Sequence, residues 1–145
     1  MRARFLRSIR LLAECYQAFE RTSGRHVREM GLTPAQFDIV VTLGDTPGMT
    51  FKELGEQTLI TKGTLTGVLD RMEARGLITR KADCDDARRS HVALTRKGTV
   101  LFEDVFPKHL QHLQRAFGRL SDSELKHLRA SLSQLQDAFE KEHAR

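Results

Sequence analysis

The stretch that most constrains this chain runs from Thr61 to Leu94, TKGTLTGVLDRMEARGLITRKADCDDARRSHVAL. Leu65, Val68, Leu69 and Met72 recur at helical spacing and mark one apolar face. Thr61 stands where an N-cap is expected, and Gly76 where a helix stop is expected. At about 100° per residue, the opposite face carries Gly63, Thr66, Gly67, Asp70 and Ala74, flanked by Thr64 and Arg71. Two glycines inside a helix cost roughly 1 kcal/mol each relative to alanine. Keeping both on one face implies a partner that approaches the backbone closely, either a DNA major groove or a neighbouring helix.

The second part reads as a hairpin. LITRKA and SHVAL are short, alternating and β-branched. The loop between them, Asp83 to Arg89, is polar and ends in two adjacent arginines. A helix followed by an arginine-tipped hairpin is the outline of a winged helix-turn-helix. Between residues 61 and 98, nine Lys/Arg against five Asp/Glu leave +4, while the whole chain is +5. The positive excess is concentrated where nucleic acid would sit. Arg88 or Arg89 can enter the narrow minor groove of A·T-rich DNA. On the helix, Thr61, Lys62, Thr64, Thr66 and Arg71 are candidates for phosphate and base contacts, with Gly63 and Gly67 allowing the approach. Asp70 faces the same way, and a carboxylate there is expected to be paired with an arginine.

The pattern LxExxxxxKGTLTGVLDRMEARGLITR, then DxR at Asp86–Arg88, then LTRKG at Leu94–Gly98, resembles the MarR family of transcriptional regulators. The likeness covers nearly the whole chain and is strongest from Thr33 to Gly98. The resemblance implies that Asp86 orients the wing arginine Arg88. It also implies a homodimer in which the first and last helices of both subunits interdigitate. The GTLT run and RMEARGLITRK look especially like the branch that senses organic hydroperoxides.

The flanking segments fit that outline. Phe5, Ile9, Leu12, Tyr16 and Phe19 form a heptad-like stripe on a long first helix, which Gly31 can end. Thr33-Pro34-Ala35-Gln36 and Thr50-Phe51-Lys52-Glu53 resemble capping boxes opening a second and a third helix. Phe51, Leu54 and Leu59 are available for the core. Thr95 is placed to cap a fifth helix, and Pro107 inside it should bend or restart it. Ser121 to Glu124 is a further capping box, followed by Leu125, Leu128, Leu132, Leu135 and Phe139 at alternating steps of three and four. A three-helix reader with a wing does not need seams at both ends, so the seams are expected to pack against a second copy. The expected fold class is mainly α with a small β-hairpin wing. Six helices and a two-stranded hairpin would form a single domain, 1–145. Within it, 33–98 is the winged helix-turn-helix, and 1–31 with 99–145 forms a helical dimerisation region.

Composition excludes several alternatives. No apolar run approaches the 18 residues a transmembrane helix needs, so no membrane partner is expected. Two cysteines make no disulfide framework, which points to a reducing cytoplasm. No glycine-rich phosphate loop, nucleophile elbow or paired-carboxylate motif is present, so neither enzyme nor cofactor is expected. A winged-helix adaptor for protein would call for an apolar or acidic wing face, which this chain does not show.

The remaining question is the signal. The resemblance implies a small aromatic or phenolic effector, or an oxidant, acting between dimer helices and reader. Tyr16, Phe19, Phe37, Phe102 and Phe106 are then candidate pocket wall, with plain core as the other reading. In the hydroperoxide-sensing branch a first-helix cysteine is oriented by tyrosines from elsewhere. Here Cys15 sits closer to the second helix, and Tyr16 is the one tyrosine. Cys15 is therefore read as buried and inert, with oxidant sensing through Cys15 as the alternative. Cys84 is expected on the wing among aspartates. His109 and His112 have metal-compatible spacing but no evident third ligand, so they are read as ordinary helix surface and no metal is expected.

Overall fold

The computed structural model describes residues 3–82, 85 and 89–144. The chain divides into two compact units, Met1–His109 and Leu110–Arg145.

In the first unit, helix α1 spans Leu6–Glu29 and ends before Gly31, whose φ of 84° suits glycine. Only its C-terminal part meets the core, through Gly24 and Val27. Helix α2, Pro34–Leu43, opens with a complete capping box: the Thr33 hydroxyl accepts from the Gln36 N–H, and the Gln36 amide oxygen accepts from the Thr33 N–H. Thr50 and Glu53 do the same for α3, Phe51–Gln57. Helix α4, Lys62–Ala74, buries Leu65, Val68, Leu69 and Met72 against Ile39, Val40 and Leu43 of α2 and Leu54 of α3. Each such side chain is worth about 1.5–3 kcal/mol when fully buried.

Strands β2, Ile78–Lys81, and β3, His91–Leu94, pair antiparallel with Arg80 opposite Val92. The expected two-stranded hairpin is in fact part of a three-stranded sheet, because β1, Met49–Thr50, pairs with β3 on its other side. The turn at Asp45 to Gly48 makes this possible. Gly48 has φ of 100°, and a Cβ there would lie 2.5 Å from the His91 ring and the Val92 carbonyl oxygen. Glycine alone lets the chain lie this close to β3.

Three further expectations change. Leu59 is not core but exposed in the turn between α3 and α4, where its N–H donates to Asp38 Oδ2 at 2.9 Å. Helix α5, Arg96–Phe117, continues through Pro107 without restarting. Burial of Val105 and His109 on either side of the proline holds the helix through the missing hydrogen bond. Cys15 is exposed, because α1 leaves the core N-terminal of Ser23.

The second unit holds the end of α5 and helix α6, Asp122–His143, which begins with the Ser121–Glu124 capping box. No residue of α6 is buried, and Leu128, Leu132, Leu135 and Phe139 stand exposed on it.

Candidate nucleic-acid interface

Helix α4 is anchored by its apolar face, and this decides which side chains it presents. Thr61, Lys62, Gly63, Thr64, Thr66 and Arg71 are exposed, while Gly67 is half-buried. Among the described residues, a Cβ built at Gly63 would meet nothing within 4 Å, and one at Gly67 would meet only the end of the Arg71 side chain at 3.7 Å. Among the described residues, no neighbouring helix requires either glycine.

Thr61 holds the N-cap position but does not cap with its side chain. Its hydroxyl donates to Thr64 Oγ1 at 3.0 Å. The expected side-chain cap is therefore missing. The first-turn N–H groups are left to backbone acceptors or to an outside anion, which a helix N-terminus attracts.

The C-terminal end of α4 is tied down from three directions. Arg80 Nη2 donates to Asp70 Oδ1 at 2.6 Å and to Glu73 Oε1 at 3.1 Å, linking β2 to the helix. The hydrogen bond from Arg80 leads the effects that hold the Glu73 carboxyl below its usual range. Glu73 and Asp70 in turn raise the Arg80 guanidinium. Lys97 Nζ donates to the Arg75 carbonyl at 2.8 Å, and the Thr95 hydroxyl donates to the Gly76 carbonyl at 2.6 Å. The same Thr95 oxygen accepts from the Gly98 N–H at 3.0 Å, so Thr95 caps α5 as expected. A Cβ at Gly98 would overlap the Leu77 carbonyl oxygen. Arg75 reaches back to the Gly31 carbonyl and Gln36 Oε1, both at 3.3 Å. Arg75, Arg80 and Lys97, all part of the basic excess, thus hold the end of α4 in place. Lys62, Arg71, Lys81, Arg89 and Arg96 stand exposed. Asp83, Cys84, Asp86 and Arg88 lie outside the described residues.

The aromatic residues fall into separate groups. Phe102 is buried and stacks on Phe106 with ring centroids 5.3 Å apart. Phe37 meets the His109 ring edge-on at 4.7 Å. Tyr16, 63% exposed, and Phe19 stand exposed on α1. His109 is not helix surface: it is 5% exposed. Its Nε2 lies 3.0 Å from Ser23 Oγ, and its Nδ1 lies 2.9 Å from His26 Nδ1. The Ser23–His26–His109 group is absent from the sequence reading. The three-residue spacing of Ser23 and His26 on α1 was visible, but nothing local pointed to a partner more than 80 residues away. Among the described residues, no group of three or more His, Cys, Asp and Glu could hold a metal ion.

A reader helix presented by its apolar face, preceded by a helix and turn and backed by a small antiparallel sheet, defines a winged helix-turn-helix protein. The MarR_2 profile, of the MarR family, matches residues 30–89. The HTH-type transcriptional regulator MhqR of Bacillus subtilis is 30% identical over 118 residues, covering 79% of this chain and 79% of its own. BpsR of Bordetella bronchiseptica, whose DNA binding is regulated by 6-hydroxynicotinic acid, superposes with a TM-score of 0.81 at 28% identity. The match covers 94% of this chain and 98% of that one. S. aureus MepR in its DNA complex has the same fold, with a TM-score of 0.77 at 22% identity over 88% of this chain and 95% of that one. The chain belongs to the MarR family and is a transcriptional regulator, not an enzyme.

Proposed function

We propose that this regulator works as a homodimer that represses transcription by occupying a pseudo-palindromic operator. Helix α4 would lie in the major groove of each half-site, the half-sites being about one helical turn apart. The observation that carries this reading is the exposed face of α4. Lys62, Thr64 and Thr66 stand around Gly63, against which none of the described residues places an atom, and Arg71 follows on the same helix with its side chain beside Gly67. Lys62 and the threonines suit phosphates, Thr66 suits a base edge, and Arg71 suits guanine or phosphate. The wing, with exposed Arg89 and with Asp86 and Arg88 beside it in sequence, would reach the minor groove. Exposed Phe5, Ile9, Leu12, Tyr16 and Phe19 on the first unit support pairing with a second copy. So do Leu128, Leu132, Leu135 and Phe139 on the second.

The effector is a small aromatic or phenolic acid. BpsR supplies the precedent, and the buried ring of His109, edge-on to Phe37 and stacked on His26, supplies an aromatic lining suited to a flat ligand. Phe102 and Phe106 fill the same unit, and Tyr16 and Phe19 would join only across a dimer. A second reading, sensing of an oxidant, is favoured by the exposure of Cys15.

Gel shifts on the chain's own upstream DNA test this, with phenolic acids and with organic hydroperoxide as separate arms. Release by a phenolic acid supports the effector reading. Release by peroxide that vanishes in Cys15→Ser replaces it with the oxidant reading. Light scattering should give a mass near twice 16.5 kDa. A monomer at micromolar concentration would remove the dimer.

A further inference from the structure

Between residues 33 and 98, one large hydrophobic side chain among the described residues stands exposed. Leu59 is 98% exposed, whereas the other exposed large hydrophobics lie within 5–19 and 100–139. Its position is fixed by its neighbours. The Leu59 N–H donates to Asp38 Oδ2 at 2.9 Å. Thr58 before it is buried, with its hydroxyl donating to the Leu54 carbonyl at 2.8 Å. Ile60 after it packs against the core. The backbone is thus held on both sides while the side chain projects into solvent. Thr61 opens α4 two residues later, so Leu59 lies within about 8 Å of the reader's N-cap along the chain.

We propose that Leu59 is a specificity-determining contact that packs on the C5-methyl of a thymine in the operator half-site. This rests on the reading of α4 as the major-groove helix. The exposed residues that follow, Thr61, Lys62 and Thr64, offer hydroxyl and ammonium groups suited to phosphate. None offers an apolar surface comparable to leucine. On the major-groove edge of a base pair, the apolar group available to such a surface is the thymine methyl. Asp38 acts as a positioning residue, holding the turn so that Leu59 meets the groove in one orientation.

The test begins with the duplex that wild-type protein selects from a random-sequence library. Each thymine of that duplex is replaced singly by deoxyuridine, which removes only the methyl group, and binding is followed by fluorescence anisotropy. Wild type should lose about fourfold in affinity at one thymine per half-site, the equivalent of one buried methyl. Leu59→Ala should bind the parent duplex more weakly and show no loss at that position, while Leu59→Met should recover part of it. Because the side chain is exposed, Leu59→Ala should melt at the wild-type temperature. If Leu59→Ala keeps the wild-type discrimination between thymine and uracil at every position, Leu59 faces something other than DNA and the inference is overturned. It is also overturned if wild type shows no discrimination anywhere. A wild type that selects no duplex overturns the DNA reading itself.

Discussion

Arg80 Nη2 lies 2.6 Å from Asp70 Oδ1, joining strand β2 to the reader helix across the Gly76 turn. The same guanidinium reaches Glu73 at 3.1 Å. On the proposed DNA-facing side of α4, an unpaired aspartate would repel phosphates. Here its charge is met by an arginine of its own chain, and the pairing fixes the angle between helix and wing.

Arg80→Ala should therefore weaken DNA binding by disordering the wing relative to α4, with a small effect on melting temperature because the ion pairs are exposed. The pH dependence has a defined sign. A carboxyl lowered in the folded state contributes fully above its unfolded value and loses that contribution as pH falls through the lowered value. The difference in melting temperature between wild type and Arg80→Ala should accordingly shrink as pH drops below the ordinary carboxylate range. A difference that stays constant down to about pH 3 would contradict the role given to Glu73.

Gly63→Ala separates folding from reading. With nothing within 4 Å of the added Cβ, the free protein should gain up to about 1 kcal/mol from helix propensity, read by urea unfolding. Its DNA affinity should fall if a groove approaches the backbone there. A variant that is both more stable and binds as tightly would place the DNA elsewhere.

Gly98→Ala should behave in the opposite way. Its Cβ would overlap the Leu77 carbonyl, so the junction between α4, β2 and α5 must shift, costing about 1–3 kcal/mol. Urea unfolding showing no loss would mean that this junction is not close-packed.

Ser23→Ala removes one hydrogen bond from the buried His109 ring and should cost about 1 kcal/mol in the same assay. If the imidazole belongs to the effector site, the concentration of phenolic acid that releases DNA should also shift. An unchanged release curve would assign the histidine to the core alone.

What the sequence disclosed was mostly local. The three capping boxes at Thr33, Thr50 and Ser121 all form, because each needs only residues three apart. The reader helix and its apolar face were legible for the same reason. Strand β1 was not, since its two residues become a strand only by pairing with His91 and Val92, some 40 positions on. Leu59 looked like core because apolar spacing cannot tell a turn held by Asp38 from a buried one. Arg75, Arg80 and Lys97 entered the basic excess of 61–98 undistinguished from the rest, because charge counting is blind to carbonyls and carboxylates brought close by the fold. His109 passed for helix surface because its hydrogen-bonding partners lie on α1, far away in sequence.

Binding to the selected duplex, followed by anisotropy as KCl is raised from about 50 to about 200 mM, tests the central claim most directly. A dimer placing two α4 helices and two wings on DNA should make at least about six phosphate contacts and lose on the order of 10³-fold in affinity over that range. Thr66→Ala should keep the slope and relax preference at one base pair per half-site, and Arg89→Ala should lower the slope by about one unit for each phosphate contact it makes. An affinity that does not change with salt, or that is equal for the selected duplex and a shuffled one, would contradict the account.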